Sequence, residues 1–174
     1  LRLTTTQLVL SGNLDAAHGC DRIAGVDSVR VVSIITDLGT LSGEESSASA
    51  INSYGQVVGY STTAEDIRAF IWTKKDGMTN LGTLPSGTRS YAADINDLSQ
   101  VVGASGPTRW LSHAFLWTKK GGMMDLGTLG GARSQASAIN NLGTVVGSSQ
   151  NVSGYWHAFL WTEKGGMVDL GTLV

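Results

Sequence analysis

Residues 125–147 read DLGTLGGARSQASAINNLGTVVG, and residues 157–169 continue the pattern as HAFLWTEKGGMVD. Both stretches have earlier copies in the same chain. The marker Asp-Leu-Gly-Thr-Leu begins at Asp37, returns with Asn80 in its first position, and returns again at Asp125 and Asp169. Self-similarity at a period of about 44 residues is typical of repeat architectures. The sequence therefore predicts a leader over residues 1–36 and three repeats over 37–174, at about 37–79, 80–124 and 125–168, with a closing strand to residue 174.

Each repeat has the pattern of four short strands. The Asn-x-x-Gly segment at Asn140 predicts a tight turn between the first two strands, and Glu163 begins a Gly-rich turn between the last two. In the third strand, Phe159 and Trp161 alternate with Ala158 and Leu160, so both faces are apolar. A strand of this kind is buried on both sides, which predicts sheets stacked face to face.

Stacked meanders of this length predict an all-β, propeller-like fold, with a β-prism or a β-trefoil as the alternatives. The tryptophans that repeat in register, at Trp72, Trp117 and Trp161, are predicted core residues. Three such sheets leave apolar flanks exposed, because propellers usually have four to eight blades. The leader has strand-like runs at 3–10 and 29–35 and is predicted to add a partial blade. The other predicted covers are further sequence outside this chain and a second copy of the chain, as a homodimer.

Composition narrows the classes of function. The chain has 174 residues, 23 of them Gly, with 12 Lys and Arg against 14 Asp and Glu. This near balance of basic and acidic residues predicts no basic surface large enough to bind nucleic acid. No apolar run approaches the length needed to span a membrane, so neither nucleic acid nor membrane is an expected partner. The single Cys, Cys20, excludes an intramolecular disulfide and a Cys-rich zinc site, and neither a metal nor another cofactor is expected.

The combined motifs resemble a known family. The segments beginning at Asp125, Ala138, Val145 and His157 are similar to the HAF repeat, described as an extracellular repeat of bacterial proteins. The resemblance covers about residues 34–174 and implies an exported, secreted or extracellular β-repeat protein without a defined reaction. The chain departs from the pattern at Arg68, where His is expected, and at Ser99, where the turn Gly is missing.

The meander predicts where a ligand binds. Connections after the second and fourth strands lie at one end of each sheet, and in this chain they vary in length and chemistry, which is typical of binding loops on a regular scaffold. Their aromatic and basic residues supply surface and donors for acidic or hydroxylated ligands. The predicted ligand-binding residues are Trp110, Tyr155, Trp156, Arg89, Arg109, Arg133, His113 and His157.

The favoured function is a non-catalytic, exported binding or structural module with a small-molecule or carbohydrate ligand on the variable loops. One alternative is a loop-based, esterase-like serine hydrolase that uses Ser105, His113 and Asp94. No helix or complete nucleophile elbow accompanies that serine, so no catalytic residue is assigned. The other alternative is a lectin-like propeller that binds carbohydrate. The two histidines share one repeat position with Arg68, and these residues are also explained as strand-start side chains that are hydrogen-bonded to the backbone of an adjacent sheet.

Overall fold

The computed structural model describes residues 3–9, 30–108 and 110–172. Arg109, Cys20 and the end of the predicted closing strand lie outside these residues. The chain divides into two compact units, Leu1–Leu38 and Gly39–Val174. In the first unit, strands β1 (Leu3–Val9) and β2 (Arg30–Thr36) form an antiparallel pair, so both strand-like runs of the leader are strands.

The second unit contains three antiparallel sheets of four strands, each in chain order. The first sheet comprises β3 (Ser46–Ile51), β4 (Val57–Thr62), β5 (Ile67–Thr73) and β6 (Gly77–Asn80). The middle sheet comprises β7 (Arg89–Ile95), β8 (Val101–Thr108), β9 (Leu111–Thr118) and β10 (Gly122–Asp125). The last sheet comprises β11 (Gly130–Ile139), β12 (Val145–Asn151), β13 (Trp156–Thr162) and β14 (Gly166–Asp169). The predicted all-β fold of repeated meanders is confirmed, and closure into a propeller ring stays a prediction.

A bulge in the first strand of each four-stranded sheet explains the glycine of the repeated Val-Val-Gly motif. The pairing of β7 with β8 shifts between Ala92 and Asp94, and the other two sheets shift at the same place. A Cβ atom on Gly103 would lie 1.9 Å from the backbone oxygen of Tyr91. Gly59 and Gly147 face the same obstruction at 1.9 and 2.1 Å. Only glycine therefore lets the second strand approach the bulged first strand.

Neighbouring sheets pack through two apolar cores. The first strand of each following sheet lies on the preceding one: β7 contacts β3, β4 and β5, and β11 contacts β7, β8 and β9. Phe115 of the middle sheet is fully buried in the first core, in one cluster with Val58 and Ala69 of the first sheet and Ala92 of its own sheet. The second core repeats the arrangement. Of the predicted core tryptophans, Trp161 is buried, whereas Trp72 and Trp117 are half-buried.

Asparagine side chains join the sheets at the end that carries the short turns. The Oδ1 of Asn96 accepts the amides of Leu98 and Gln100, at 3.0 Å each, which is the predicted turn-forming role. The Nδ2 of Asn52 donates to the Asn96 carbonyl at 3.0 Å, and that of Asn96 donates to the Asn140 carbonyl at 2.9 Å. These two bonds form a ladder across all three sheets, which the sequence did not predict.

Candidate ligand-binding end of the sheets

The asparagine ladder fixes which ends of the sheets lie together. Because the short turns of three sheets are hydrogen-bonded side by side, the sheets are stacked in the same orientation. The opposite end, called here the loop end, carries the connections after the second and fourth strand of each sheet. Those connections are the variable loops on which the sequence places a ligand site.

A cleft of about 380 Å³ lies toward the loop end, with walls from all three sheets. Tyr60 of β4 and Tyr91 of β7 meet edge to face, with ring centroids 5.3 Å apart. Gln135 of β11 lines the same cleft, as do Glu45 and Arg89. We call this space the tyrosine cleft. Its volume falls within the range of about 300–1,000 Å³ that is usual for small-molecule sites.

The basic residue in the wall of the tyrosine cleft, Arg89, is paired with an acidic side chain, and the same wall contains the acidic residue Glu45. Arg89 Nε lies 2.8 Å from a carboxylate oxygen of Asp66. Burial raises the pKa of Asp66, but hydrogen bonds from Arg89 and from the Ile67 amide, with the attraction of Arg89 and Arg68, outweigh it and lower that pKa below its usual value. The hydrogen bond that Arg89 donates to Asp66 in turn raises the pKa of Arg89. The ion pair supplies polar groups to the wall without a lone positive charge.

The predicted loop aromatics lie outside the walls of the tyrosine cleft. Trp110, in the β8–β9 loop, and Tyr155, in the β12–β13 loop, are strongly exposed. Trp156 is the first residue of β13, and the guanidinium of Arg133 lies 5.9 Å from its ring centroid. Among the predicted ligand-binding residues that the structure describes, only Arg89 is part of the cleft wall.

Each predicted histidine is paired with an aspartate of its own sheet. His113 Nδ1 lies 2.8 Å from Asp125 Oδ2, and His157 Nδ1 lies 2.8 Å from Asp169 Oδ2. A hydrogen bond from the Gly171 amide, followed by that of His157, lowers the pKa of Asp169. These pairs join the start of the third strand to the end of the fourth. The predicted hydrogen bond to the backbone of an adjacent sheet is therefore wrong for the two histidines, whose pairs lie within one sheet.

In the first sheet the same two positions hold Arg68 and Asn80. The Arg68 guanidinium donates to the carbonyls of Ile67 and Thr88 and pairs with Glu65 at 3.2 Å. For Arg68 the predicted hydrogen bond to the backbone of an adjacent sheet is present, because Thr88 lies directly before β7 of the next sheet.

A smaller space of about 210 Å³ is bordered by His113 and Asp125 together with Ser105. Among the described residues, no group of three or more His, Cys, Asp or Glu side chains could hold a metal ion.

The alternative catalytic set does not come together as a triad. Ser105 is buried; its Oγ accepts the Leu84 amide at 2.9 Å and donates its hydrogen to the Arg89 carbonyl at 2.9 Å. Ser61 and Ser149 make the same two kinds of bond in their own sheets. Asp94 pairs across the sheet with Val102, three residues and roughly 10 Å along β8 from Ser105.

The carboxylate of Asp94 serves the sheet junction instead. It accepts the amides of Ile95 and Ile139, each at 2.9 Å, and so connects β7 with β11. The Ser105 hydroxyl hydrogen is directed to a carbonyl oxygen and not to His113. This geometry leaves the serine without an activating base.

The sequence reasoning missed Tyr60, Tyr91 and Gln135. A signal for them exists within the repeats: Ser47, Tyr91 and Gln135 occupy one repeat position, flanked by serines and alanines that do repeat. A large polar side chain at a position that differs among the repeats is not needed for the shared fold, so it indicates a function specific to that repeat. The strand register then brings Tyr91 beside Ala104, on the wall of the cleft.

Comparison with protein-family models, with curated proteins and with solved structures finds no match to this chain. The resemblance to the HAF repeat therefore stays a prediction from the sequence. In the described part of the chain, no helix is long and apolar enough to cross a membrane.

Proposed function

We propose that this protein is a non-catalytic, exported binding module whose ligand is a small neutral molecule rich in hydroxyl groups, such as a mono- or disaccharide. The observation that carries the proposal is the tyrosine cleft, because three sheets contribute to one concave space at the loop end. The export follows from the resemblance to the HAF repeat.

The chemistry of the walls favours a hydroxylated ligand. The rings of Tyr60 and Tyr91 provide apolar faces with polar tips, on which the flat face of a sugar ring can pack. The Gln135 amide both donates and accepts hydrogen bonds. Arg89 is neutralised by Asp66, so a phosphate or carboxylate ligand would meet a cation that is already paired.

The binding role of the cleft can be tested by isothermal titration with glucose, galactose, N-acetylglucosamine, maltose and cellobiose as separate probes. We expect at least one probe to bind and Tyr91→Ala to weaken it about tenfold or more, because the aromatic face is lost. Gln135→Ala is expected to weaken the same probe by about two- to tenfold, because a hydrogen bond is lost.

The matched controls are the exposed aromatics Trp110 and Tyr155, each changed to Ala. Both are expected to keep the affinity within about threefold of the unmodified chain, since neither lines the cleft. Loss of binding in Trp110→Ala with full binding in Tyr91→Ala would place the ligand on the loops and overturn the cleft. Absence of heat with all five probes would overturn the proposed ligand class.

A further inference from the structure

The last sheet has an apolar face that matches the faces buried inside the molecule. Val146 and Leu170 of the last sheet occupy the repeat positions of Val102 and Leu126 in the middle sheet. The middle pair is buried, at 0 % and 6 % exposure, because the last sheet covers it. Val146 is 38 % exposed and Leu170 58 % exposed. Within the second unit, this surface follows the last of the three stacked sheets, and we call it the last face.

The first sheet has the complementary surface along β3. At both internal junctions, the first strand of one sheet lies on strands of the sheet before it. Ile95 of β7 and Ile139 of β11 are buried there, at 5 % and 8 % exposure. Ile51 is their counterpart on β3 and is 53 % exposed. We call this surface the first face.

Polar groups at the two faces are complementary as well. At each internal junction an asparagine Nδ2 donates to the carbonyl of the next asparagine along the ladder. Asn140 occupies the donor position on the last face, and the Asn52 carbonyl occupies the acceptor position on the first face. A pairing of two last faces would bring two donor positions together and leave both first faces exposed.

We propose that the first face of one copy of this chain docks on the last face of a second copy and repeats the internal junction head to tail. The partner surface is a second copy because the two faces continue the same interface in apolar residues and in hydrogen-bond polarity. Such an interface is heterologous, so it closes into a ring or extends as a filament. This inference is independent of the proposed ligand.

The test is the mass of the full chain in solution, measured by light scattering and by sedimentation at micromolar concentrations. We expect twice the monomer mass or a higher multiple. Val146→Glu on the last face and Ile51→Glu on the first face are each expected to reduce the mass to that of a monomer, because either one buries a carboxylate in the junction. Val152→Glu, at a strongly exposed loop position, is the matched control and should keep the wild-type mass.

Mixing the two variants distinguishes the head-to-tail arrangement from any other. The Val146→Glu chain keeps an intact first face, and the Ile51→Glu chain keeps an intact last face, so an equimolar mixture should form a heterodimer with one junction. Circular dichroism checks that each variant is folded. A monomeric wild type, an Ile51→Glu chain that still self-associates, or a mixture of folded variants that stays monomeric would each overturn the proposal.

The hydrogen bonds of the asparagine ladder provide a second test of the head-to-tail junction. In Asn140→Asp the side chain keeps the oxygen that accepts the amides of Leu142 and Thr144 in the turn, but it loses the Nδ2 donor. We expect self-association to weaken by about two- to tenfold without loss of the folded monomer. Unchanged association in this variant would overturn the predicted hydrogen bond to the Asn52 carbonyl.

Discussion

The middle and last sheets have almost the same pattern of residues and different surroundings. Phe115 and Phe159 are both fully buried, because each faces the sheet that precedes its own. On the opposite faces, Leu126 is buried under the last sheet, whereas its counterpart Leu170 is exposed. Burial in this molecule is therefore set by the place of a sheet in the stack as much as by its sequence.

The largest loss of stability is expected at the glycine of the Val-Val-Gly motif, which lies against a backbone oxygen of the first strand in both sheets. Gly103→Ala should lower the free energy of unfolding by about 3 kcal/mol or more, because the new methyl group would overlap the Tyr91 carbonyl oxygen in the bulge. Chemical denaturation measures this change. Gly121→Ala is the control: its only close neighbour is the Thr118 hydroxyl at 3.0 Å, so a loss below about 1 kcal/mol is expected. Equal losses in both variants would contradict the steric explanation.

Leucine truncation compares the covered and exposed faces directly. Leu126→Ala should cost about 2–5 kcal/mol, because it leaves a cavity between two sheets. Leu170→Ala should cost less than about 1 kcal/mol when both are measured in an Ile51→Glu background, in which the proposed junction is expected not to form. Similar costs at the two positions would show that the last face is already covered within one chain.

Serines at the same repeat position, on the first strand of each four-stranded sheet, make different hydrogen bonds, and their contributions to stability can be compared. Ser134 is buried; its Oγ accepts the Ala114 amide of the preceding sheet at 2.8 Å and donates to the Gly127 carbonyl. Ser134→Ala leaves both backbone groups without this hydroxyl and should cost about 1–3 kcal/mol in denaturant unfolding. Ser46→Ala in the first sheet, where no sheet of the second unit precedes, removes a bond to the Gly39 carbonyl and should cost less. The opposite ranking would contradict a role of Ser134 at the junction.

The smallest expected effect is a dependence of stability on acid pH. The Ser53 amide, the Asn141 side chain and the Ser53 hydroxyl lower the pKa of Asp97 below its usual 3.8. The folded state therefore favours the carboxylate, so this contribution is present above the usual pKa and is lost as the pH falls through the lowered value. Asp97→Asn should reduce stability at neutral pH and flatten the loss on acidification, as urea unfolding at several pH values can show. An acid dependence that is unchanged in Asp97→Asn would contradict this role of the carboxylate.

Much of the fold could be predicted from the sequence because its signals are local. The Asn-x-x-Gly turns and the two-sided apolar pattern of β9 and β13 specify strand boundaries and burial without knowledge of distant contacts. The role of the Val-Val-Gly glycine could not be read in this way, because its cause is the Tyr91 carbonyl on a different, bulged strand.

The candidate site was less predictable for the same reason. Exposed aromatics in loops are visible in a sequence, and the loop end was predicted from the order of strands alone. The tyrosine cleft depends on Tyr60 and Tyr91 meeting between two sheets and on Gln135 reaching the same space from a third. Likewise, Ser105 and His113 are cross-strand neighbours, but the bonds of Ser105 to the Leu84 amide and the Arg89 carbonyl decide its role.

The asparagine ladder can join any number of stacked sheets, because each bond joins one sheet to the next in the same way. Each asparagine that donates to the following sheet also offers its own carbonyl to the preceding one, so a unit inserted between two others finds a donor on one side and an acceptor on the other. A duplication of one whole repeat therefore supplies the ladder donor and acceptor of each new junction, whereas insertion of half a repeat leaves a turn without its neighbour in the ladder.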